Sequence, residues 1–294
     1  MAKRTALSLL AALLAAGMLC ACAAQPASTA EEAAQPAQTE QQPQSQPVEA
    51  EALAEEEQVQ EALAEEEPEE QPAVVEVAPT QDENGVWCIA SPKGLAMLRE
   101  QPEEKYRLTA DIDLAGAEWS PVGDSSKPFT GTLDGDGHTV SNFTVPDGEK
   151  TGFFGVMNGT VRNLTLENAS FAVESGTLGG LAAEAGGTFE ACTVSGAMSV
   201  GGSATAGGLV GKLTGGSLTG CTADVRIDAQ ATAAVGLLAG SLEAGTVEGC
   251  VYAGNWNVKN GELFTDLAAS NAGASMTNCL WRDNRNSDEL LSEN

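Results

Sequence analysis

Four cysteines in the C-terminal part of the chain recur at intervals of 29 residues, at Cys192, Cys221, Cys250 and Cys279. Their surroundings recur as well, in the segments 187–194, 216–223, 245–252 and 274–281. Segments 159–166 and 137–145 are similar to these four but lack the cysteine. A repeat of this length is typical of solenoids, in which one unit cannot bury its own apolar face and must stack on the next. We therefore expect a stack of similar coils.

The apolar residues of these segments form three columns, separated by a step of three residues and then a step of two. The first column is Val140, Val161, Phe189, Leu218, Val247 and Met276. The second is Phe143, Leu164 and the four cysteines, and the third is Val145, Leu166, Val194, Ala223, Tyr252 and Trp281. A step of two keeps side chains on one face of a strand, whereas a step of three does not, so the backbone must bend between the first two columns.

The residue at this bend is usually Asn or Gly, in the series Asn142, Asn163, Ala191, Gly220, Gly249 and Asn278. Asn and Gly tolerate left-handed backbone angles best, so the sequence predicts a corner here in every coil. A second glycine-rich motif lies upstream, at residues 152–155, 179–182, 207–211 and 235–240. Glycines beside an apolar pair are typical of tight turns around a short buried strand. These patterns predict an all-β parallel β-helix (solenoid) of about six coils, roughly 25–30 Å long at the usual strand spacing.

The repeats resemble those of the GLUG-motif proteins, which are right-handed parallel β-helix proteins of bacterial surfaces. The copy most similar to that motif is Gly207-Gly-Leu-Val-Gly211 followed by Gly216-Ser-Leu-Thr-Gly-Cys221. Residues 87–95, 108–114 and 129–140 resemble the N-terminal block of the same family, so the resemblance covers roughly residues 86–282. It implies a right-handed β-helix over 85–282 and a place on the cell surface, and it is far less specific for function.

Residues 91–101 are predicted to form a capping helix over the first coil. An uncovered solenoid end exposes both apolar core and unpaired strand edges, so a cap is needed. Ser91 and Pro92 suit the N-cap and first helical positions. Apolar surface for packing comes from Leu95, Met97 and Leu98.

Residues 1–22 are predicted to be a lipoprotein signal peptide. Two basic residues precede an apolar run of 14 residues, 6–19, which is too short to span a membrane as a helix and suits a signal-peptide core. The run ends in a segment that resembles a bacterial lipobox, with Leu19 three positions before Cys22. Lipidation of Cys22 would hold the mature protein on a membrane without spanning it. The alternative is an ordinary signal peptide cleaved near Ala24.

Two segments lie outside the repeats. Residues 23–84 carry 17 acidic residues, no basic residue and no glycine, and we expect a disordered acidic stalk rich in Pro, Gln and Glu. A partner-binding acidic helix in its tandem repeat at 51–68 is the alternative. The polar C-terminal tail, 283–294, is expected to cover the last coil weakly and fray.

The cysteine series favours free, buried thiols over a disulfide or a metal site. Stacked side chains on parallel strands point the same way, which is poor geometry for a disulfide, and four ligands in one line cannot form the tetrahedron that zinc prefers. Cys88 lies outside the series. A calcium loop starting at Asp134 would need Glu at its twelfth position, where Val145 stands. No metal and no cofactor is therefore expected.

Carboxylate pairs and tryptophans are the remaining candidates for chemistry. Asp111 and Asp113, or Asp134 and Asp136, could serve glycoside cleavage, but no cluster of acids and bases recurs in register over several coils. Sugar binding would instead use exposed aromatic rings. Trp256, in a polar loop, and Trp119 are the candidate ligand contacts, although either ring could equally fold onto the rod.

The strong negative charge of the chain, −28, argues against binding to nucleic acid. We expect a protein that is exported, lipid-anchored in the bacterial cell envelope and facing outward. Its favoured function is non-catalytic adhesion or binding of a ligand, either a glycan or a surface protein. The alternatives are a polysaccharide lyase or glycoside hydrolase on the same scaffold, and a structural envelope protein without a soluble ligand.

Overall fold

The computed structural model describes residues 78–230, 232–259, 266–282 and 290–292. Over these residues the chain is an all-β parallel solenoid of about six turns, which confirms the predicted fold class. The predicted signal peptide (1–22), with Cys22, and the acidic segment up to residue 77 lie outside the described residues.

Helix α1 spans Pro92–Glu100. The strands are β1 (Thr80–Gln81), β2 (Trp87–Ile89), β3 (Lys105–Leu108), β4 (Ile112–Glu118), β5 (Thr132–Asp134), β6 (Thr139–Val145), β7 (Lys150–Thr151), β8 (Phe154–Met157), β9 (Thr160–Arg162), β10 (Thr165–Gly179), β11 (Ala182–Ala185), β12 (Thr188–Glu190), β13 (Thr193–Gly207), β14 (Val210–Leu213), β15 (Ser217–Thr219), β16 (Thr222–Gln230), β17 (Ala234–Gly236), β18 (Ala239–Leu242), β19 (Thr246–Glu248), β20 (Val251–Tyr252), β21 (Trp256–Lys259), β22 (Ala268–Asn271), β23 (Ser275–Thr277), β24 (Leu280–Arg282) and β25 (Leu290–Ser292).

These strands form three sheets that run along the solenoid. The first sheet has the order β1-β2-β3-β5-β9-β12-β15-β19-β23. The second has the order β25-β24-β20-β16-β13-β10-β6-β4, with β7, β17 and β21 pairing beside β10, β13 and β16. The third has the order β22-β18-β14-β11-β8. Pairing is antiparallel between β1 and β2 and between β24 and β25, and parallel elsewhere in the described sheets.

One coil corresponds to one repeat. Phe189 pairs with Leu218, Leu218 with Val247 and Val247 with Met276, each a step of 29 residues. All of these strands turn their central apolar residue inward, and the solenoid interior is one continuous hydrophobic core.

The predicted corners have the expected backbone angles. Every residue in the predicted series has a positive φ: Asn142 (57°), Asn163 (53°), Ala191 (50°), Gly220 (61°), Gly249 (63°) and Asn278 (54°). A left-handed residue directly after β9, β12, β15, β19 and β23 sends the chain from the first sheet into the second, which is why apolar residues three positions apart can both face the core. Asn142 is the exception, because it lies inside β6 of the second sheet.

The predicted place of Val140 in the first column is wrong. Val140 pairs with Leu166 in the second sheet, whereas Val161 pairs with Leu133 in the first. The pattern Thr-Val-x-Asn occurs at two different places in the coil, each time ending at a left-handed Asn, so the two segments look equivalent in sequence although they lie in different sheets. The spacing carries the correct answer, since Leu133 precedes Val161 by 28 residues and Val140 precedes it by 21.

The four cysteines of the repeat are free and buried, as predicted. Each thiol can donate to the carbonyl oxygen two residues earlier in its own coil, as from Cys192 Sγ to Glu190 (3.3 Å) and from Cys279 Sγ to Thr277 (3.4 Å). The thiols therefore act as small core side chains whose polar hydrogen has a partner. Cys88 is half-buried and also free.

The N-terminal end of the core is covered by α1, as predicted. Ser91 is the N-cap and its Oγ accepts from the Gly94 amide, while Leu95 and Leu98 are fully buried. The Tyr106 hydroxyl, from β3, can donate to the carbonyl of Gln101 at 2.6 Å, which ties the end of the helix to the first coil.

The predicted boundary between stalk and folded domain at residues 84 and 85 is wrong by at least five residues. Strand β1 already pairs with β2, and Asp82 organises the turn between them. This hairpin was missed because its two-residue strand carries no periodic pattern. At the C-terminal end, β25 pairs with β24, so this part of the predicted tail is a strand. Residues 283–289 and 293–294 of that tail lie outside the described residues.

Candidate functional site

The outer face of the first sheet carries two columns of polar side chains. One, here named the charged ladder, consists of Arg107, Asp134, Arg162, Glu190, Thr219, Glu248 and Thr277, paired from strand to strand. Because the strands are parallel and in register, neighbouring members stand one strand spacing apart, roughly 4.8 Å. Along the N-terminal four positions the charge alternates in sign from one coil to the next.

The second column, here named the hydroxyl column, lies two residues earlier in each strand. Its first position is Lys105, and the six positions that follow all carry a hydroxyl group: Thr132, Thr160, Thr188, Ser217, Thr246 and Ser275. The Ser217 hydroxyl donates to Thr188 Oγ1 at 3.4 Å, so adjacent hydroxyls are close enough to interact. The face is thus a strip of hydroxyl groups beside a strip of charges.

At its N-terminal end this face forms a groove of about 290 Å³. It is here named the charged groove. Its floor is made by Lys105, Arg107, Thr132, Asp134, Asp136 and Arg162. The turn between β1 and β2 forms its rim through Asp82, Asn84 and Val86. The short hairpin that the sequence did not predict therefore builds one wall of the cavity.

Asp82 fixes the rim. Its Oδ1 accepts from the backbone amides of Asn84 (2.9 Å) and Val86 (3.0 Å), and its Oδ2 accepts from Arg107 at 2.5 Å. These backbone hydrogen bonds and the Arg107 charge outweigh the effect of desolvation and hold the pKa of Asp82 below its usual value. The carboxylate is ionised at neutral pH and anchors the hairpin to the face.

Asp134 and Arg162 form the central ion pair of the groove. Arg162 donates through Nε (2.9 Å) and one terminal nitrogen (2.8 Å) to Asp134 Oδ2. Asp134 Oδ1 accepts from the Asp136 amide (3.0 Å) and from Asn163 Nδ2 (3.2 Å). Partial burial raises the pKa of Asp134, but these hydrogen bonds outweigh it and the pKa lies below its usual value. Hydrogen bonding to Asp134 in turn raises the pKa of Arg162.

Trp119 does not stand where a sugar could stack on it. Its side chain is only 4% exposed, its Nε1 donates to the Phe153 carbonyl at 3.0 Å, and its ring stacks on Phe153 at a centroid distance of 4.7 Å. The Arg99 guanidinium covers it at 4.6 Å. The predicted ligand contact at Trp119 is wrong because the ring is part of the core near the capping helix.

Trp256 lies in strand β21 and not in a loop. It is 6% exposed and packs edge-to-face against Trp281 at 4.8 Å and Tyr252 at 6.2 Å. The alternative recognised from the sequence, a ring folded onto the rod, is the arrangement found. The surrounding amides suggested a polar loop, but they alternate with Trp256 and point away from the core, as strand residues do.

The other acidic candidates support turns. Asp111 Oδ1 accepts from the Thr139 amide at 2.9 Å, and Asp113 Oδ1 accepts from the Ala115 amide at 2.7 Å and from Asn142 Nδ2 at 2.9 Å. Within the described ranges, no group of three or more potential metal-ligating side chains is found. Within the same ranges, no helix has the length and apolar character to cross a membrane.

The charged ladder was missed from the sequence. Its first four members are separated by 27, 28 and 28 residues, so they do not share the 29-residue period of the cysteines. The signal that aligns Arg107, Asp134, Arg162 and Glu190 is a repeat whose length varies by one or two residues from coil to coil. The three-residue strands also give too short a pattern to reveal which side faces out.

The comparison with protein families concerns the middle of the solenoid. Residues 202–228 match the model of the GLUG motif. The chain carries a GLUG motif. The matched GLUG segment runs from the end of β13 to most of β16 and includes Gly207, Gly211 and Cys221, the copy that the sequence pattern indicated.

Two curated proteins share stretches of sequence with this chain. Halomucin of Haloquadratum walsbyi is 40% identical over 127 residues, which are 37% of this chain and 1% of halomucin. A protein of Evansella cellulosilytica named as a Gly-rich membrane protein is 41% identical over 71 residues, 23% of this chain and 8% of that protein. The chain therefore spans a small part of the length of either relative.

Two solved structures have a related shape. One, from Bacteroides ovatus and described as an immunoglobulin A1 protease, superposes with a TM-score of 0.43 at 18% identity, covering 66% of this chain and 85% of that one. The other, an IgA1 protease, superposes with a TM-score of 0.39 at 15% identity, covering 70% of this chain and 22% of that one. Likeness at this level carries no argument about activity.

Proposed function

We propose that the protein is a non-catalytic binding module displayed on the cell envelope, and that its ligand is an extended glycan lying along the first sheet. In this proposal a lipid on Cys22 holds the protein on the membrane and the acidic segment that follows spaces the solenoid from it. The observation that carries the proposal is the continuity of the charged groove with the hydroxyl column.

A repeating surface suits a repeating ligand. The two columns present hydrogen-bonding groups at every coil, roughly 4.8 Å apart along the solenoid. An extended polysaccharide advances by about one sugar ring over the same distance, so one sugar can face one coil. Guanidinium, ammonium and hydroxyl groups also hydrogen-bond sugar hydroxyls, without any need for an exposed aromatic ring.

The proposed envelope location rests on the predicted signal peptide and on the proteins to which the sequence is similar. The resemblance to GLUG-motif surface proteins and the relative named as a Gly-rich membrane protein both support it. Replacing Cys22 by Ser should abolish lipid labelling and shift the protein from the detergent phase to the aqueous phase. If the Cys22→Ser protein still carried lipid, the anchor would have to be elsewhere.

The binding test is a glycan array probed with the full chain, followed by affinity measurement for the best ligands. Arg162→Ala removes an exposed cation of the groove and should weaken binding by about fivefold or more, the worth of one exposed charged contact. The matched control is Lys212→Ala, which removes an ion-paired cation, bonded to Glu243, from the third sheet. Control and wild type should bind equally.

Three results would contradict the proposal. Absence of binding to any glycan would favour a structural envelope protein. Release of new reducing ends or unsaturated uronates from a bound polysaccharide would indicate an enzyme. Equal loss of binding in both variants would place the ligand away from the first sheet.

A further inference from the structure

The acidic side chains of the charged groove have little capacity left to accept hydrogen bonds. Asp82 receives two backbone amides and Arg107, and Asp134 receives a backbone amide, Asn163 and two nitrogens of Arg162. A carboxylate offers about four acceptor positions, so both groups are close to saturation. They therefore have few acceptor positions left for the donors of a ligand.

The basic side chains, in contrast, have donors to spare. A guanidinium group has five N–H donors, of which Arg107 uses one nitrogen and Arg162 two on their aspartates. The two side chains are 38% and 48% exposed. Lys105 is exposed, and no ion pair of this ammonium group is found within the described part of the chain. The groove therefore has an excess of donors, which favours a ligand that brings negatively charged acceptors.

The spacing of the charges limits how those acceptors can be arranged. Arg107 and Arg162 flank Asp134 in the charged ladder, so their backbone positions stand two strand spacings apart, about 9.5 Å. An anionic group facing the intervening coil would meet the carboxylates of Asp134 and Asp136. A polysaccharide with a carboxylate on every sugar would place a carboxylate opposite Asp134. A polysaccharide with a carboxylate on every second sugar would not.

We propose that the charged groove selects an acidic polysaccharide that carries one carboxylate on every second sugar. Arg107 and Arg162 bind successive carboxylates, Lys105 binds beside the first, and Asp134 disfavours a charge on the sugar between them. This inference rests on the proposed glycan-binding function and names the class of glycan.

The test compares three polymers with the full chain in detergent at about 0.15 M salt, where long-range repulsion from the negatively charged protein is screened. The probes are a polymer of alternating uronate and N-acetylhexosamine, a homopolymer of uronate and a neutral polymer of similar length. Affinity for the alternating polymer should be at least about fivefold higher than for either of the others, the value of one exposed charge pair.

Two variants distinguish charge-dependent selection of the polymer from non-specific binding. Lys105→Gln should lower the affinity for the alternating polymer about fivefold and leave the affinity for the neutral polymer unchanged. Asp134→Asn should raise the affinity for the uronate homopolymer relative to the alternating one, because it removes the intervening charge. Thermal unfolding of both variants checks that the hairpin and groove remain folded, and Lys212→Gln on the third sheet is the matched control.

The outcomes distinguish this inference from the proposed function. Equal affinity for the neutral and alternating polymers would overturn the inference and leave glycan binding intact. Tighter binding of the homopolymer by the wild type would overturn the rule of alternate charges. Failure of all three polymers to bind would contradict glycan binding itself, and the inference with it.

Discussion

At the scale of single residues, the corner between the first and second sheets depends on a left-handed backbone. Gly220 and Gly249 adopt this conformation at little cost, and Asn163 and Asn278 adopt it more easily than other residues with a Cβ. Ala191 stands in the same corner at φ 50° without either advantage. It is exposed, so neither packing nor burial requires alanine there.

We predict that Ala191→Gly stabilises the protein by about 1 kcal/mol, because it removes the steric cost of a left-handed Cβ. The measurement is the free energy of unfolding from denaturant titration. The control is Ala197→Gly, an exposed position in the extended strand β13, where glycine should destabilise by roughly 0.5–1 kcal/mol. If both substitutions destabilised the protein, the corner would not be strained at Ala191.

The buried thiols predict a dependence of stability on pH. Hydrogen bonding with the neighbouring thiol, together with burial, raises the pKa of Cys221 and of Cys250 to about 12. Above the ordinary thiol pKa near 9, the unfolded chain loses these protons while the folded chain keeps them. The stability that Cys221 and Cys250 contribute is therefore complete below pH 9 and falls as the pH rises toward 12.

The measurement for this prediction is the free energy of unfolding at pH 8, 9 and 10, a range that lies largely below the titration of the buried tyrosines. The wild type should lose stability over this range. Replacing Cys221 and Cys250 by Ala should reduce this loss, whereas an unchanged slope in that variant would show that other groups cause it.

At the scale of elements, the glycines of the GLUG segment serve close packing between coils. A Cβ on Gly207 would lie 2.2 Å from the Val210 carbonyl oxygen and 2.5 Å from the Ala239 Cα of the next coil. Gly207 has no positive φ, so space and not backbone conformation requires glycine here. Gly220 is the opposite case, with a positive φ and no atom within 4 Å of the position that a Cβ would occupy.

We predict that Gly207→Ala destabilises the protein by about 3 kcal/mol or more, because backbone atoms of two coils would have to move apart. Gly220→Ala is the matched control and should cost about 1 kcal/mol, the cost of a left-handed alanine alone. Denaturant titration of both variants provides the comparison. Equal losses would mean that the coils can separate at Gly207 without penalty.

Elements with a long repeat were predictable, and short ones were not. The corner series from Asn163 to Asn278 and the buried cysteines follow from regular spacing and residue type. The strand of Val140 was misplaced because two corners of one coil share a local sequence. The hairpin of β1 and β2 was not predicted, because strands of two and three residues show no period. The wall of the charged groove that this hairpin forms was therefore not predicted either.

At the scale of the whole molecule, the solenoid converts sequence spacing into position along one axis. This is why the first sheet can carry columns of like groups, and why the groove draws its side chains from β3, β5 and β9, which lie far apart in sequence. Trp119 and Trp256 are not exposed ligand contacts because both rings are buried, Trp119 against Phe153 and Trp256 against Trp281. Residue type alone did not reveal which face of a strand each ring occupies.

The measurement that tests the central claim most directly is the pattern of nuclear Overhauser contacts between methyl groups in the full chain. Stacking in register predicts contacts from Leu218 to Val247 and from Val247 to Met276, each 29 residues apart, and from Leu133 to Val161. It also predicts a contact between Val140 and Leu166, its partner in the second sheet. If the pairs 29 residues apart gave no contact, or Leu133 gave none with Val161, the coils would not be stacked as described, and the groove and its proposed ligand would lose their basis.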